Sequence, residues 1–193
     1  RSPDGGASWT RVLDGRAVLM LLRDSAKGSE EREAEIQRTV GQSATADVWP
    51  APLLDIWFAP DGLTGFAVGG FGLILKTSDA GNTWQPWLWK TDNDQRYHLY
   101  ALAGGEGGVF VAGEQGLVMH LDATTQRFKR VQTPYNGSFF GISQFGARLV
   151  AYGLRGNAFV SEDAGHAWKK IETGLDANLV SAVTLEDSAF LVS

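Results

Sequence analysis

One eight-residue pattern recurs along this chain and limits its fold more than any other feature. Ser2-x-Asp4-x-Gly6-x-Ser8-Trp9, Thr77-x-Asp79-x-Gly81-x-Thr83-Trp84 and Ser161-x-Asp163-x-Gly165-x-Ala167-Trp168 all read Ser/Thr-x-Asp-x-Gly-x-x-Trp. An Asp side chain accepts hydrogen bonds from backbone N–H groups of its own turn, Gly permits positive φ, and Trp buries a large apolar surface beside them. The pattern therefore builds a turn and catalyses nothing. Asp4, Gly6, Trp9, Asp79, Gly81, Trp84, Asp163, Gly165 and Trp168 are assigned this structural role. A fourth copy, His120-x-Asp122-x-Thr124 followed by Phe128, has lost both the Gly and the Trp.

The turns punctuate a longer repeat. From Leu54, short β-branched or aromatic runs alternate with Gly and Asp turns: 54–58, 65–69, 72–76, then the motif. The same order returns at 99–103, 108–113, 116–120 and 127–131, and again at 139–143, 148–153, 157–161 and 167–171. The hairpin Gly69-x-x-Gly72 reappears as Gly113-x-x-Gly116 and Gly153-x-x-Gly156. Four antiparallel strands per unit of about 40 residues match one blade of a β-propeller.

These turns and blades resemble the Asp-box propellers built from bacterial neuraminidase repeats. The run Gly65-Phe66-Ala67-Val68-Gly69 through Lys76-Thr77-Ser78-Asp79-Ala80-Gly81-Asn82-Thr83-Trp84 is similar to the photosystem II stability/assembly factor-like branch. The likeness covers residues 1–9 and 53–193. It implies a non-enzymatic helper of membrane complexes, acting outside the cytoplasm and so periplasmic in a bacterium. The fold expected is all-β: a partial propeller of about three complete blades, with fragments at both ends and a helical insertion. The expected units are 1–9, ending one blade; 10–52, the insertion; blades 53–90, 91–132 and 133–172; and 173–193, opening a further blade. Three blades leave a ring open, so the chain reads as part of a larger propeller. Arg1 to Gly6 has neither an initiating Met nor the apolar core of a signal peptide, so it reads as a processed or truncated start.

The insertion is visible in the spacing. Asp4 to Asp79 is 75 residues, whereas Asp79 to Asp122 is 43 and Asp122 to Asp163 is 41. Residues 17–26 and 29–40 read as helices, the second opening Ser29-Glu30-Glu31-Arg32 with acids suited to a helix N-terminus. Leu21, Leu22 and Ile36 are expected to join the two helices. Blade topology puts the Asp turns on one face. The second-to-third-strand hairpins and the blade connections lie on the other, where residues 10–52 are expected beside Gly70-Phe71, Glu114-Gln115 and Leu154-Arg155.

Chemistry narrows the function. With 17 Lys and Arg against 22 Asp and Glu, a net charge of −5 gives no general reason to bind nucleic acid. No apolar run approaches the roughly 20 residues of a membrane span, so direct insertion is not expected. Without cysteine there is no thiolate chemistry. His98, His120 and His166 are scattered, and Asp92-Asn93-Asp94 lacks the spacing of a calcium loop, so neither metal nor cofactor is expected. A sialidase needs clustered arginines, a Tyr nucleophile and a Glu; Arg96, Arg148, Arg155, Tyr97, Tyr135 and Glu114 supply the types without a motif joining them. The leading reading is a non-catalytic scaffold that binds a protein partner, a membrane complex or transporter under assembly or regulation. Its recognition surface is placed at Arg96, Tyr97, Tyr135 and Arg155, because Arg and Tyr suit desolvated contacts. The alternative is a sialidase-like hydrolase or carbohydrate-binding propeller. Trp87 and Trp89 are read as outer-strand packing, with exposure in a partner patch as the competing role.

Overall fold

The computed structural model describes residues 1–42, 45, 47–185 and 188–193. Positions 43, 44 and 46 of the insertion and 186–187 near the C-terminus lie outside the described residues. The chain forms propeller blades with a helical insertion. Among the described residues, three antiparallel four-stranded sheets follow the sequence order. The first blade contains β1 (Leu53–Phe58), β2 (Gly65–Gly69), β3 (Ile74–Thr77) and β4 (Gln85–Pro86). The second contains β5 (Leu99–Gly105), β6 (Gly108–Gly113), β7 (Val118–Asp122) and β8 (Arg127–Val131). The third contains β9 (Phe139–Phe145), β10 (Arg148–Gly153), β11 (Ala158–Ser161) and β12 (Lys169–Ile171). A hairpin of β13 (Ser181–Leu185) and β14 (Ser188–Val192) follows.

The core lies between blades. Phe66 on β2 meets Trp87 and Phe128 with ring centroids 5.5 and 5.3 Å apart, joining the first blade to the second. Phe110, Phe139 and Phe159 join the second to the third, and Tyr152, Ala158 and Leu179 carry the packing onward. Burying each such ring removes about 1.5–3 kcal/mol of apolar hydration cost, so adjacent blades stabilise each other.

The motif turns close as their chemistry requires. In the first blade Thr77 Oγ1 donates to Asp79 and accepts from the Gly81 N–H at 2.9 Å, while Asp79 accepts from the Thr83 N–H at 2.9 Å. Ser161 and Asp163 repeat this, with Gly165 N at 2.8 Å and Ala167 N at 2.8 Å. The altered copy keeps half the device: Asp122 accepts from Thr124 and Thr125 N–H, and Phe128 is fully buried where a Trp is missing. The N-terminal copy makes the same turn bonds, Gly6 N to Ser2 Oγ at 2.6 Å and Ser8 N to Asp4 at 2.8 Å. Residues 1–9 contribute no strand, and Trp9 is 75% exposed, against 7% for Trp84. Its indole Nε1 donates to Gly6 O at 3.1 Å.

The insertion folds as two helices, α1 (Gly15–Ala26) and α2 (Glu30–Gly41). Asp14 caps α1 by accepting from Ala17 N at 2.9 Å. The Ser29 side chain makes no cap bond to α2, whose first turn instead carries Glu30, Glu31 and Glu33 against the helix dipole. Leu22 and Ile36 are buried, with Leu21 half-buried beside them. The insertion reaches the connection face beside Phe71, where the Trp49 and Phe71 ring centroids lie 6.5 Å apart and Gly70 N donates to Pro52 O at 3.2 Å. α1 packs along β4, the outer strand of the first blade, with its first turns beside Asn82, Thr83 and Trp84. α2 lies against the 88–96 connection through Glu35. β4 is the edge of its sheet, and α1 covers part of that edge.

Candidate functional site

The connection face is built by a device repeated in every blade. Phe71, Gln115 and Arg155 sit at φ 55, 54 and 53°, each followed by a glycine, Gly72, Gly116 and Gly156, at φ 65 to 68°. In the second and third blades the next connection then folds over the hairpin: Thr133 Oγ1 donates to Gly116 O, and Thr173 Oγ1 to Gly156 O, both at 2.7 Å. Glycine is required there because a Cβ on Gly116 would lie 1.8 Å from Tyr135 O, and one on Gly156 2.0 Å from Leu175 O. The first blade does it differently. Asn93 closes its connection by accepting from Tyr97 N at 3.0 Å and donating to Tyr97 O at 2.9 Å.

Two pairs of predicted recognition residues result, and they have different surroundings. Arg96 is bound by Glu35 of α2 through Nε and, at 3.1 Å, through Nη2, and it also donates to Leu88 O at 3.0 Å. Trp89 Nε1 donates to the same carboxylate at 3.1 Å, and the Arg32 guanidinium stacks 5.0 Å over the Trp89 ring. Burial pushes the Glu35 carboxyl up, but the bonds from Arg96 and Trp89 outweigh it and hold it below the usual range. Tyr97 is half-buried against the same core. Arg96 therefore latches the insertion to the blade, and most of its donors are used.

Tyr135 and Arg155 are more available. Tyr135 packs on Phe139 and Phe159 and donates to Leu154 O at 3.3 Å. Burial raises its phenol pKa. It lines an open polar cleft of about 420 Å³ with Gln115, Arg130, Gln132 and Asn136. Arg155 is exposed, its backbone N–H bonded to Asn178. Among the described residues no hydrogen bond or ring contact joins this pair to Arg96 and Tyr97.

Other singled-out residues are distributed. Arg148 begins β10 at the end opposite Arg155 and faces Glu162 at 4.0 Å, so the three arginines do not converge. Glu114 accepts from His98 N at 2.8 Å and Tyr100 Oη at 3.3 Å. His120 is stacked on Phe110 with centroids 4.3 Å apart, and burial lowers its pKa. No three metal-ligating side chains gather among the described residues. Trp87 is buried and Trp89 half-buried. Sequence reasoning overlooked Glu35, 61 residues from its partner; an isolated Glu on a mixed-charge helix carries no signal for such a contact.

Comparison with known proteins is consistent with this geometry. The family model described as photosynthesis system II assembly factor YCF48 matches residues 41–171. A photosystem II assembly lipoprotein Ycf48 from Trichormus variabilis is 43% identical over 58 residues, 30% of this chain and 17% of that protein. The chloroplastic photosystem II stability/assembly factor HCF136 of Oryza sativa subsp. japonica is 28% identical over 127 residues, 61% of this chain and 30% of that one. A solved structure of YCF48 bound to D1 peptide superposes with a TM-score of 0.59 at 21% identity, covering 67% of this chain and 42% of that chain. The chain thus spans less than half the length of the relatives it matches.

Proposed function

We propose that this chain, which belongs to the photosynthesis system II assembly factor YCF48 family, is a non-catalytic propeller scaffold that holds a protein subunit of a membrane complex while the complex assembles. The carrying observation is the division of labour between its faces. The Asp carboxylates bond within their own turns, whereas the connection face carries α2, the polar cleft beside Tyr135 and the exposed Arg155. A relative's capture of a D1 peptide supports a polypeptide as the occupant. Relatives named as lipoproteins support an extracytoplasmic, membrane-associated and, in a bacterium, periplasmic location. Among the described residues no helix is long and apolar enough to cross a membrane.

A glycoside hydrolase is not favoured, because Arg96 is committed to Glu35 and Arg148 lies at the other end of its blade. The test is binding of fluorescent peptides tiled along D1. Arg155→Ala and Tyr135→Ala should weaken the best peptide at least tenfold, while Asp163→Asn on the opposite face should leave it unchanged. Binding by none of the peptides, together with turnover of sialosides or other glycosides, would replace this reading with the hydrolase.

A further inference from the structure

The propeller holds the Arg96 guanidinium from behind. Its Nη1 donates to Leu88 O at 3.0 Å and to Asn93 O at 3.3 Å, both in the connection between the first and second blades. These bonds fix the plane of the group, so that its other edge, Nε and Nη2, is aimed away from that backbone. That edge is the fork that matches the two oxygens of a carboxylate. Trp89 Nε1 points into the same place, since it and Arg96 Nη2 both lie 3.1 Å from one oxygen of Glu35, while Arg96 Nε bonds the other. Three donors thus converge on one carboxylate, and all three belong to the blade connection.

The carboxylate they meet does not belong to the repeat. Glu35 comes from α2, in the segment that stretches the Asp4 to Asp79 spacing to 75 residues. Among the described residues, the polar ties from α2 to the blade are the Glu35 bonds and the Arg32 guanidinium 5.0 Å over the Trp89 ring. Ile36 is the one buried residue of this 12-residue helix, worth about 1.5–3 kcal/mol, and a helix so short is marginal by itself. The cost of burying Glu35 offsets much of what the bonds from Arg96 and Trp89 contribute. A second carboxylate making the same three bonds can therefore replace it at small cost, and α2 then loses its main tie.

Arg96 stands over the first hairpin as Tyr135 stands over the second. A Cβ on Gly72 would lie 3.2 Å from Arg96 Cα, and one on Gly116 1.8 Å from Tyr135 O. The two residues hold the same place in successive blades, but Tyr135 opens onto the polar cleft, whereas the Arg96 fork is closed by α2. The charges around it are mixed. Arg32 and Arg38 of α2 and the exposed Arg155 favour an anion, while Asp92, Asp94 and Glu114 oppose it. Asp92 is engaged by Arg127, Glu114 accepts from His98 N and Tyr100 Oη, and Asp94 is exposed, where water and salt screen it. The aimed donors, rather than the general field, select the ligand. We infer that Arg96 and Trp89 form a binding site for an acidic side chain of a polypeptide partner, and that Glu35 is its built-in occupant, so that α2 is a strap the partner lifts. This rests on the reading of the connection face as the partner-binding face, and it adds a site which that face keeps closed.

The experiment uses two fluorescein-labelled decapeptides in a Gly-Ser background, carrying Ala-Glu-Ala-Glu or Ala-Gln-Ala-Gln, with affinity for the full chain read by anisotropy. Glu35→Gln opens the fork and should raise affinity for the Glu peptide at least tenfold, with no gain for the Gln peptide. Glu30→Gln removes the same charge from the same helix at an exposed position and should give no gain. Combining Glu35→Gln with Arg96→Gln should return affinity to the wild-type level. In the wild type, saturating Glu peptide should accelerate hydrogen exchange in α2 at least threefold, and the Gln peptide should not. No gain with Glu35→Gln, a gain shared by Glu30→Gln, or a gain that survives Arg96→Gln overturns the inference; the Glu30 comparison decides if the double variant fails to fold. Binding of the Glu peptide that is equal in wild type and Glu35→Gln but lost on Arg155→Ala also overturns it, and leaves the connection face as the partner-binding face.

Discussion

Replacing Thr77 by Val asks whether the Asp turn stabilises the fold through its buried hydroxyl. Thr77 is 2% exposed, and its Oγ1 donates to Asp79 at 2.8 Å and accepts from Gly81 N at 2.9 Å and Asp79 N at 3.3 Å. Valine keeps the volume and the β-branched shape, so packing and strand preference change little. What remains is a buried Gly81 N–H with no acceptor, which costs about 1–3 kcal/mol. For a chain of this size that lowers the melting temperature by about 2–4 °C per kcal/mol. The N-terminal turn is an internal control, since Ser2 makes the same bond to Gly6 N at 2.6 Å but in an exposed setting where water replaces it. Ser2→Ala should therefore shift stability by less than about 0.5 kcal/mol. Urea denaturation of both variants measures the contrast. If the two substitutions cost the same, or Thr77→Val costs nothing, burial of the turn is not what gives the hydroxyl its effect.

Further tests address other contacts. Hydrogen bonds from the Thr83 hydroxyl and N–H, against a small opposing burial effect, lower the Asp79 pKa to about 2. The ordinary value is about 3.9, so the contribution of Asp79 is complete above roughly pH 4 and is lost as pH falls towards 2. Asp79→Asn should flatten the pH dependence of the urea midpoint in that window; an unchanged slope contradicts it. Trp84→Ala should cost about 3–5 kcal/mol, as read by thermal melts, and an unchanged melting temperature contradicts it. Glu35→Gln removes the charge that binds Arg96, and hydrogen exchange in α2 should accelerate roughly tenfold, equivalent to about 1.4 kcal/mol. Exchange unchanged from wild type would mean that α1 alone holds the insertion.

The blades were legible because their punctuation is local. Asp79, Gly81 and Thr83 bond within one turn, and Gly116 and Gly156 stand where a Cβ would strike backbone, so these constraints are written in adjacent residues. The two helices were legible for the same reason, through the acids at 30–33 and the apolar stripe of α1. The packing of α1 along β4 was not, because it is a tertiary contact that no spacing in the sequence marks. Arg96 shows the limit for the candidate site: the residue type suits recognition, but its partner on α2 is a tertiary contact that no spacing predicts.

Placing a photo-crosslinking amino acid at Asn136 on the connection face, and separately at Asn82 on the Asp-turn face, tests the central claim most directly. Both positions are exposed, so each reports contact without disturbing the core. With membranes from the source organism, the account predicts a crosslink to a subunit of a membrane complex from Asn136, lost on Arg155→Ala, and none from Asn82. The same subunit captured from Asn82 and not from Asn136 would contradict the assignment of the connection face as the partner-binding surface.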